Sequence, residues 1–253
     1  MPVPSRRPSH VLAHLSDTHI RPADDPLVAG LVDTRATLAR ALGVLGSWNL
    51  EPEAWVFSGD LADAGHPEAY EHLDAVVTPA AEAAGARVLW CNGNHDDRLA
   101  FRETLLGEDP SDAPLDREWW LGDLRVLALD TNVTGASWGR VAPESLAWLA
   151  DRLADPAPDG TVLVMHHAPL PQVQDATVLW SLEEQDALAD IVRGSDVRLI
   201  LSGHFHQTAS GSFAGVPVWV GTSMAYTQDV TAGRTLRGQA GGQGFSLVSL
   251  YAD

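Results

Sequence analysis

The sequence predicts a mixed α/β fold, and three observations indicate it. Short apolar runs, such as Val11–Leu15 and Arg87–Cys91, alternate with longer stretches whose apolar residues recur at helical spacing. Runs that are apolar throughout are typical of strands covered on both faces. Later in the chain, Gly122 and Asp123 separate two apolar runs as in a β-hairpin. We therefore expect layers of helices around a sheet that mixes parallel and antiparallel strands.

Each element follows from its local pattern. In the first half we predict strands at Val11–Leu15, Ala54–Phe57 and Arg87–Cys91, and helices at Asp33–Trp48, Pro67–Ala84 and Asp97–Leu106. In the second half we predict strands at Glu118–Leu121, Leu124–Leu129, Thr161–Met165 and Val197–Leu201, helices at Pro143–Ala154 and from Ser181 to about Gly194, and β-structure near Thr208–Phe213, Val216–Val220 and Phe245–Leu250. Asp33 is the expected N-cap of the first helix, and the run from Ser181 to Glu184 has the pattern of a capping box.

The pattern also indicates how the chain is divided. No linker separates it into parts, so we expect one domain over residues 1–253, in which residues 1–9 form a flexible segment. Periodicity alone favours two or three layers. An apolar stretch near the amino terminus is interrupted by His10 and His14 and stops at Asp17, which makes it too short and polar for a signal peptide. No run approaches the ~20 apolar residues of a membrane span. We expect a cytoplasmic protein that binds no membrane.

Composition limits the chemistry. The chain has sixteen basic residues, all of them Arg, against thirty-four acidic ones, and its net charge is −18. Without Lys there is no Schiff-base lysine and no complete P-loop. The single Cys91 excludes a disulfide framework, an iron–sulfur cluster and a thiolate-rich zinc site, and it is expected to be a small buried hydrophobe. An acidic chain is a poor binder of long nucleic acid, because that affinity comes from Lys and Arg on phosphates.

Polar residues of a restricted kind follow five of the apolar runs. They are Asp17 and His19, Asp60, Asn94 with His95 and Asp96, His166 and His167, and His204 and His206. Ligands of open α/β sheets bind beyond the carboxyl ends of the strands, so neighbouring strands would bring these groups together. Gly59, Gly93 and Gly203 stand just before them and would allow a close approach of the backbone.

These residue types suit divalent metal ions, since imidazole and carboxylate are present and thiolate is absent. A strand-end Asp or a single buried His is by itself more often structural than a ligand. Five such features at five successive strand ends favour a metal site, with donors enough for two ions and one carboxylate bridging them. Most Trp residues are expected in the core, with Trp138 and Trp180 as candidate walls of a pocket.

In this order, Asp-x-His, Gly-Asp, Gly-Asn-His-Asp, a lone downstream His and Gly-His-x-His resemble the five sequence blocks of the calcineurin-like metallophosphoesterases. The resemblance covers residues from about 11 to 206. The tail, from Asp196 through Val-Pro-Val-Trp-Val to Tyr-Thr-Gln-Asp, is further similar to bacterial class III cyclic nucleotide phosphodiesterases. Related glycerophosphodiesterases share Asp17-Thr-His19, Gly-Asn-His-Asp96 and Met-His-His-x-Pro-Leu-Pro171.

The resemblance implies a fold and a role for each residue. The fold would be a β-sandwich of two mixed sheets flanked by helices, in four αββα layers. The implied metal ligands are Asp17, His19 and His206 at one ion, Asn94, His166 and His204 at the other, and Asp60 between them. The implied catalytic pair is His95, as general acid, and Asp96, which would orient the His95 imidazole. Asn94, His95 and His206 would contact the substrate, and His167 would lie behind the ligands or face the substrate.

The implied activity is hydrolysis of 3′,5′-cyclic nucleotides such as cAMP, by in-line attack of a metal-bridging hydroxide. The implied cofactors are two metal ions per chain, iron with manganese first, and two manganese or zinc as alternatives. Ala64 stands where protein phosphatases of the family carry a phosphate-binding Arg, so that role is not expected. Alternatives are a broader phosphodiesterase for glycerophosphodiesters or 2′,3′-cyclic nucleotides, and a catalytically silent binding module. A homodimer is compatible with the resemblance.

Overall fold

The computed structural model describes residues 7–47, 51–172 and 174–252. Residues 1–6 of the predicted flexible segment, and Trp48 at the end of the first predicted helix, lie outside these ranges. The strands are β1 His10–Leu15, β2 Leu27–Val28, β3 Val32–Asp33, β4 Ala54–Ser58, β5 Arg87–Cys91, β6 Arg117–Leu121, β7 Leu124–Leu129, β8 Thr161–Met165, β9 Val197–Ser202, β10 Ala209–Phe213, β11 Val216–Val220, β12 Thr227–Gln228, β13 Gly238–Gln239 and β14 Ser246–Leu250. The α-helices are α1 Thr34–Leu45, α2 Pro67–Ala83, α3 Arg98–Ala100, α4 Pro143–Arg152 and α5 Gln185–Val192.

Two sheets form the centre of the molecule. The first has the order β14-β1-β4-β5, in which β1, β4 and β5 are parallel and β14 is antiparallel to β1. The second has the order β10-β11-β9-β8-β7-β6, with parallel pairing from β11 to β7 and an antiparallel strand at each edge. The predicted hairpin forms the β6–β7 edge, with a left-handed Gly122 in its turn.

The sheets pack face to face, and helices cover their outer faces. Val56 of the first sheet shares one apolar cluster with Val126 and Val164 of the second. Helices α1 and α2 pack on the outer face of the first sheet, where Trp55 and Tyr70 are fully buried. Helices α4 and α5 cover the second sheet in a further cluster. The four-layer αββα architecture is therefore confirmed, and the two or three layers favoured by periodicity alone are wrong.

Local signals differ in how well they predict the helix ends. Asp33 caps α1 as predicted, since its carboxylate accepts a hydrogen bond from the backbone N–H of Ala36. The predicted capping box at Ser181 is wrong, because Glu184 has a left-handed backbone (φ 52°) and α5 begins only after it. The carbonyl of Ser181 instead accepts from the N–H of Gly139, so this stretch pairs with a loop.

The predicted helix over 97–106 also differs from the structure. A single α-turn at Arg98–Ala100 continues as a π-helix at Phe101–Leu106, which ends at a left-handed Gly107. Among the described residues, no helix is long and apolar enough to cross a membrane.

The topology determines where the site forms. The strands β1, β4 and β5 of the first sheet and β8 and β9 of the second all end on the same side of the sandwich. Backbone hydrogen bonds connect the loops that follow these strands. The N–H of Asp17 donates to the carbonyl of Gly59, and the N–H of Gly203 donates to the carbonyl of His166. The five polar blocks of the sequence therefore meet at the seam between two sheets, not along one.

Candidate metal centre

The residues at the strand ends have an unusual backbone conformation. Asp17, His19, Asp60, His204 and His206 all have positive φ, between 41° and 70°. Outside glycine this left-handed conformation costs energy and persists only where the surroundings enforce it. Each of these residues lies two to four residues beyond the end of a strand, and the left-handed turns bring the five side chains to one space.

Two groups of side chains converge in that space. In the first, one ligand atom each of Asp17, His19, Asp60 and His206 lie within 4.8 Å of one another. The Nε2 atoms of His19 and His206 are 3.1 Å apart, and Asp60 Oδ2 lies 3.4 Å from His19 Nε2. All four residues are buried. Two imidazole nitrogens facing each other beside buried carboxylates is the arrangement that a shared cation stabilises.

The second group combines residues of both sheets. Asp60 Oδ2, from the end of β4, lies 3.2 Å from His166 Nε2 at the end of β8, and His204 after β9 completes the group. Asp60 belongs to both groups, so its carboxylate lies between them. The resemblance implies that Asp60 is the bridging ligand, and a carboxylate in this position could serve both groups.

Each imidazole of the two groups is held through its other ring nitrogen. Nδ1 of His206 donates to the carbonyl of Tyr226 at 2.9 Å, and Nδ1 of His166 donates to the carbonyl of Ser58 at 2.9 Å. Nε2 of His204 donates to the carbonyl of Trp180 at 2.8 Å, and Nδ1 of His19 donates to the Asp63 carboxylate at 3.1 Å. Metal-binding histidines show this pattern, because the outer hydrogen bond fixes the tautomer and leaves the inner nitrogen with its lone pair.

Two orphaned atoms test whether a metal fits. Among the described residues, Asn94 Oδ1 and His166 Nε2 are buried side-chain atoms without a hydrogen-bond partner. A buried polar atom left unpaired costs about 1–3 kcal/mol, so a ligand at either atom would stabilise the protein. A carboxamide oxygen and an imidazole nitrogen are donors that divalent transition metals accept. The residues therefore fit the metal ions that the resemblance implies.

Two residues of the site already have the charges of metal ligands, whereas at His166 burial would lower the pKa but the Asp60 carboxylate raises it to about 9. Burial alone would raise the pKa of Asp60, but the imidazoles of His166 and His95 hold it well below its usual range. Burial lowers the pKa of His206 to about 4, so this imidazole is neutral at pH 7. Metal binding requires ionised carboxylates and neutral imidazoles, and these two residues meet that condition.

Close approach of the backbone requires glycine at two of the turns. Gly59 has φ +100°, and a Cβ there would lie 2.6 Å from His166 Nδ1. A Cβ on Gly93 would overlap with Asp60 Oδ1. The prediction that glycine lets the backbone pass close to the ligands is confirmed at both turns.

His95 lies at the open side of the centre. It is exposed, its backbone N–H donates to Asp60 Oδ1 at 2.8 Å, and its Nδ1 donates to the carbonyl of Asp63 at 2.6 Å. The expectation that Asp96 orients this imidazole is wrong. The carboxylate of Asp96 points the other way, because three backbone N–H groups and the Tyr70 hydroxyl surround it.

Of the two places expected for His167, behind the ligands or facing the substrate, the structure shows the first. It is fully buried, with Nδ1 2.8 Å from the Thr131 hydroxyl and Nε2 3.3 Å from the carbonyl of Ser137. Its ring packs behind that of His204, with centroids 4.4 Å apart. His167 therefore supports a ligand from behind and does not reach the cavity.

Asp63 is a functional residue that the sequence reasoning did not single out. One oxygen of its carboxylate holds His19, the other accepts from Arg21 at 2.5 Å, and its carbonyl holds His95. A signal existed, since Asp63 follows Asp60 by three residues in Gly-Asp-Leu-Ala-Asp. The carbonyls of Ser58, Trp180 and Tyr226 carry no such signal, because every residue has one.

A comparison with known protein families decides the class of the chain. The model of the calcineurin-like phosphoesterase family matches residues 10–208. The chain belongs to this family. The match spans every residue of the two groups, and it confirms the predicted family and the prediction that the chain is a phosphoesterase.

Known relatives and structures agree with that assignment. A cAMP/cGMP dual specificity phosphodiesterase of Mycobacterium tuberculosis is 48% identical over 98% of this chain and 78% of its own length. A protein of Rhodococcus erythropolis named "probable cyclic nucleotide phosphodiesterase" is 47% identical over 97% of this chain and 81% of its own length. A dimetal phosphatase from Danio rerio has a similar fold, with a TM-score of 0.69 and 14% identity over 97% of this chain and 94% of its own.

Replacing Asp96 by Asn tests its role as a backbone anchor. Asp96 joins the turn after Asp60 to the turn at Gly93, and an amide nitrogen cannot accept these N–H groups. We expect Asp96→Asn to lower the free energy of unfolding by about 1–3 kcal/mol, measured by urea denaturation of the metal-free protein. Asp74→Asn, at an exposed carboxylate on α2, is the control and should change the stability by less than about 0.5 kcal/mol. Unchanged stability of Asp96→Asn would contradict the anchor role.

Proposed function

We propose that the chain is a dinuclear metal phosphodiesterase that hydrolyses 3′,5′-cyclic nucleotides. The observation that carries the proposal is the placement of Asp60, whose Oδ2 lies 3.4 Å from His19 Nε2 and 3.2 Å from His166 Nε2, so that one carboxylate serves two groups of donors. Phosphate monoester or diester chemistry fits such a pair of sites. The two relatives named as cyclic nucleotide phosphodiesterases, each almost half identical to the chain, favour the diester.

The proposed ligands divide between the two groups. Asp17, His19 and His206 would hold one ion, Asn94, His166 and His204 would hold the other, and Asp60 would bridge them. When bound, two divalent ions lower the pKa of water and neutralise the charge that develops on the phosphoryl oxygens. The donors, which are imidazoles, carboxylates and one amide, suit iron, manganese and zinc. The resemblance implies iron with manganese first, and two manganese ions or zinc as alternatives.

The protein itself orients the reacting groups. Oδ1 of Asp60 and the carbonyl of Asp63 hold the His95 backbone and imidazole at the rim, so Nε2 is the ring nitrogen that would serve the substrate. We propose that His95 donates the proton to the leaving 3′-oxygen of the ribose. Such a proton donor is required because an alkoxide is a poor leaving group. Asn94 and His206 line the same cavity and would contact the phosphate.

A broader diesterase for glycerophosphodiesters or 2′,3′-cyclic nucleotides is the alternative within enzymes. The third reading, a silent binding module, has less support because all seven proposed ligands and His95 are present. Comparing kcat/KM for 3′,5′-cAMP, 2′,3′-cAMP and glycerophosphocholine separates the two enzymes. Preference for 3′,5′-cAMP supports the proposal, and preference for either other diester contradicts it.

Removing the bridging carboxylate tests the metal centre. We expect Asp60→Ala to bind fewer than two metal ions per chain, where the parent binds close to two, because both groups lose a donor. Turnover of a nitrophenyl phosphodiester should then be lost. Metal analysis and a colorimetric assay provide the two readouts. Asp24→Ala, which removes an exposed carboxylate elsewhere, should change neither. A metal-free preparation with full activity would refute the proposal.

The proton donated by His95 has a separate test. We expect His95→Ala to lower kcat for 3′,5′-cAMP by about 10²–10⁴-fold, the usual contribution of a general acid. The loss should be much smaller for bis(4-nitrophenyl) phosphate, because nitrophenolate leaves without a proton. The control is His66→Ala, at an exposed histidine that makes no capping bond at the start of α2. Equal losses on both substrates would show that His95 does not act as an acid.

A further inference from the structure

Part of the wall of the cavity at the metal centre consists of residues to which the proposed hydrolysis assigns no role. Beyond the ligands and His95, its lining includes Gln172, Thr177, Trp180 and Gln228. These side chains are polar or aromatic, and none is charged. Among the described residues of this lining, the only acidic side chain is that of Asp60, and none is an Arg. Such a wall fits a flat, neutral, hydrogen-bonding group better than a charged head group.

Trp180 supplies the flat surface of this wall. It is partly exposed, and no other ring or guanidinium stacks on its indole in the part of the chain that the structure describes. By contrast, Trp138, the other predicted wall residue, lies outside the cavity lining and has the Arg140 guanidinium over its ring. The carbonyl of Trp180 accepts the hydrogen bond from His204 Nε2 at 2.8 Å. The backbone of Trp180 is therefore hydrogen-bonded to His204, a proposed metal ligand, and this bond fixes the place of the indole relative to the metal centre.

Gln228 supplies the hydrogen-bonding group. Its Oε1 is buried and has no hydrogen-bond partner, although its backbone N–H donates to the carbonyl of His206 at 2.8 Å. Pairing of β12 with β13, where Gln228 lies opposite Gly238, holds this backbone in place. An unpaired amide at the edge of a cavity is available to a ligand, and it offers both a donor and an acceptor.

We propose that Trp180 and Gln228 form the nucleobase subsite of this enzyme, with the base stacked on the indole and its polar edge read by the carboxamide. This inference rests on the proposed function. His204 and His206 would hold the metal ions at the phosphate. His204 is hydrogen-bonded to the backbone of Trp180, and His206 to the backbone of Gln228. These bonds would fix the position of the base relative to the phosphate. A carboxamide pairs with the donor–acceptor edge of adenine or, turned over, with that of guanine, so both bases are accepted.

The stack is tested with a substrate that lacks the base. We expect Trp180→Ala to lower kcat/KM for 3′,5′-cAMP by about 10- to 100-fold, the range of one base–aromatic stack. The 3′,5′-cyclic phosphate of 1-deoxyribose has no base and should lose less than about threefold. Trp180→Phe should restore most of the activity on cAMP. The matched control is Trp120→Ala, at a half-exposed indole on β6 outside the cavity. Equal losses on both substrates would overturn the stack.

The carboxamide is tested by a change of preference. A carboxylate only accepts hydrogen bonds, so it matches the two adjacent donors of guanine and opposes the ring acceptor of adenine. We expect Gln228→Glu to raise the ratio of kcat/KM for cGMP over that for cAMP at least tenfold. Gln239→Glu places the same charge on the neighbouring strand β13, on an exposed side chain, and should leave the ratio unchanged.

The outcomes separate the two levels of the proposal. If the parent enzyme hydrolyses cyclic nucleotides but neither Trp180→Ala nor Gln228→Glu changes the selectivity described above, the subsite is wrong and the proposed function stands. If the parent, loaded with metal, hydrolyses no cyclic nucleotide, the function fails and the subsite with it. Circular dichroism of each variant confirms folding, and the Trp180→Phe variant keeps the test decisive if Trp180→Ala does not fold.

Discussion

The burial of two carboxylates, Asp17 and Asp60, among four imidazoles is the constraint on which the rest of the site depends. Buried charges are costly unless they are paired or bind a metal, and here the space between the donors suits cations. The left-handed turns at five proposed ligands and the glycines at Gly59 and Gly93 are the backbone cost of bringing these side chains together. A net charge of −18 does not exclude phosphate chemistry, because two divalent cations would reverse the local sign.

The sandwich makes this burial possible. Both sheets contribute to the centre, and Asp60 of the first sheet, the proposed bridging ligand, lies 3.2 Å from His166 of the second. The inter-sheet core, in which Val56 packs with Val126 and Val164, therefore fixes the separation of the donors that the two sheets contribute to each group. Behind the ligands, backbone carbonyls accept from the outer imidazole nitrogens, so the orientation of each ring depends on the loops around it. The same loops extend outward to Trp180 and Gln228, which join the wall of the cavity to the metal centre.

The strand ends and the ligand candidates could be predicted because they are local. Each apolar run is followed by Asp, Asn or His within a few residues, and strand bounds such as Arg87–Cys91 and Thr161–Met165 agree with the sequence pattern. The role of Asp96 could not be predicted, and two places stayed open for His167, because orientation depends on neighbours that are distant in sequence. Asp96 meets the N–H groups of a turn that is 34 residues earlier, at Ala62, and His167 meets Thr131, 36 residues away. The capping box at Ser181 failed for the same reason, since pairing with Gly139 displaced it.

By itself, the sequence determined which elements form, which residue types stand at the strand ends, and, through the resemblance, the family. These properties depend on short-range periodicity and on the chemistry of single side chains. The tertiary structure decided that the five blocks come from two sheets, that Asp63 holds His19 and His95, and that Asp96 anchors turns. It also decided that Trp180, and not Trp138, lies in the cavity wall beside an unpaired Gln228. The physical reason is that hydrogen bonds and packing across the seam connect residues far apart along the chain, and no local pattern encodes which partners they find.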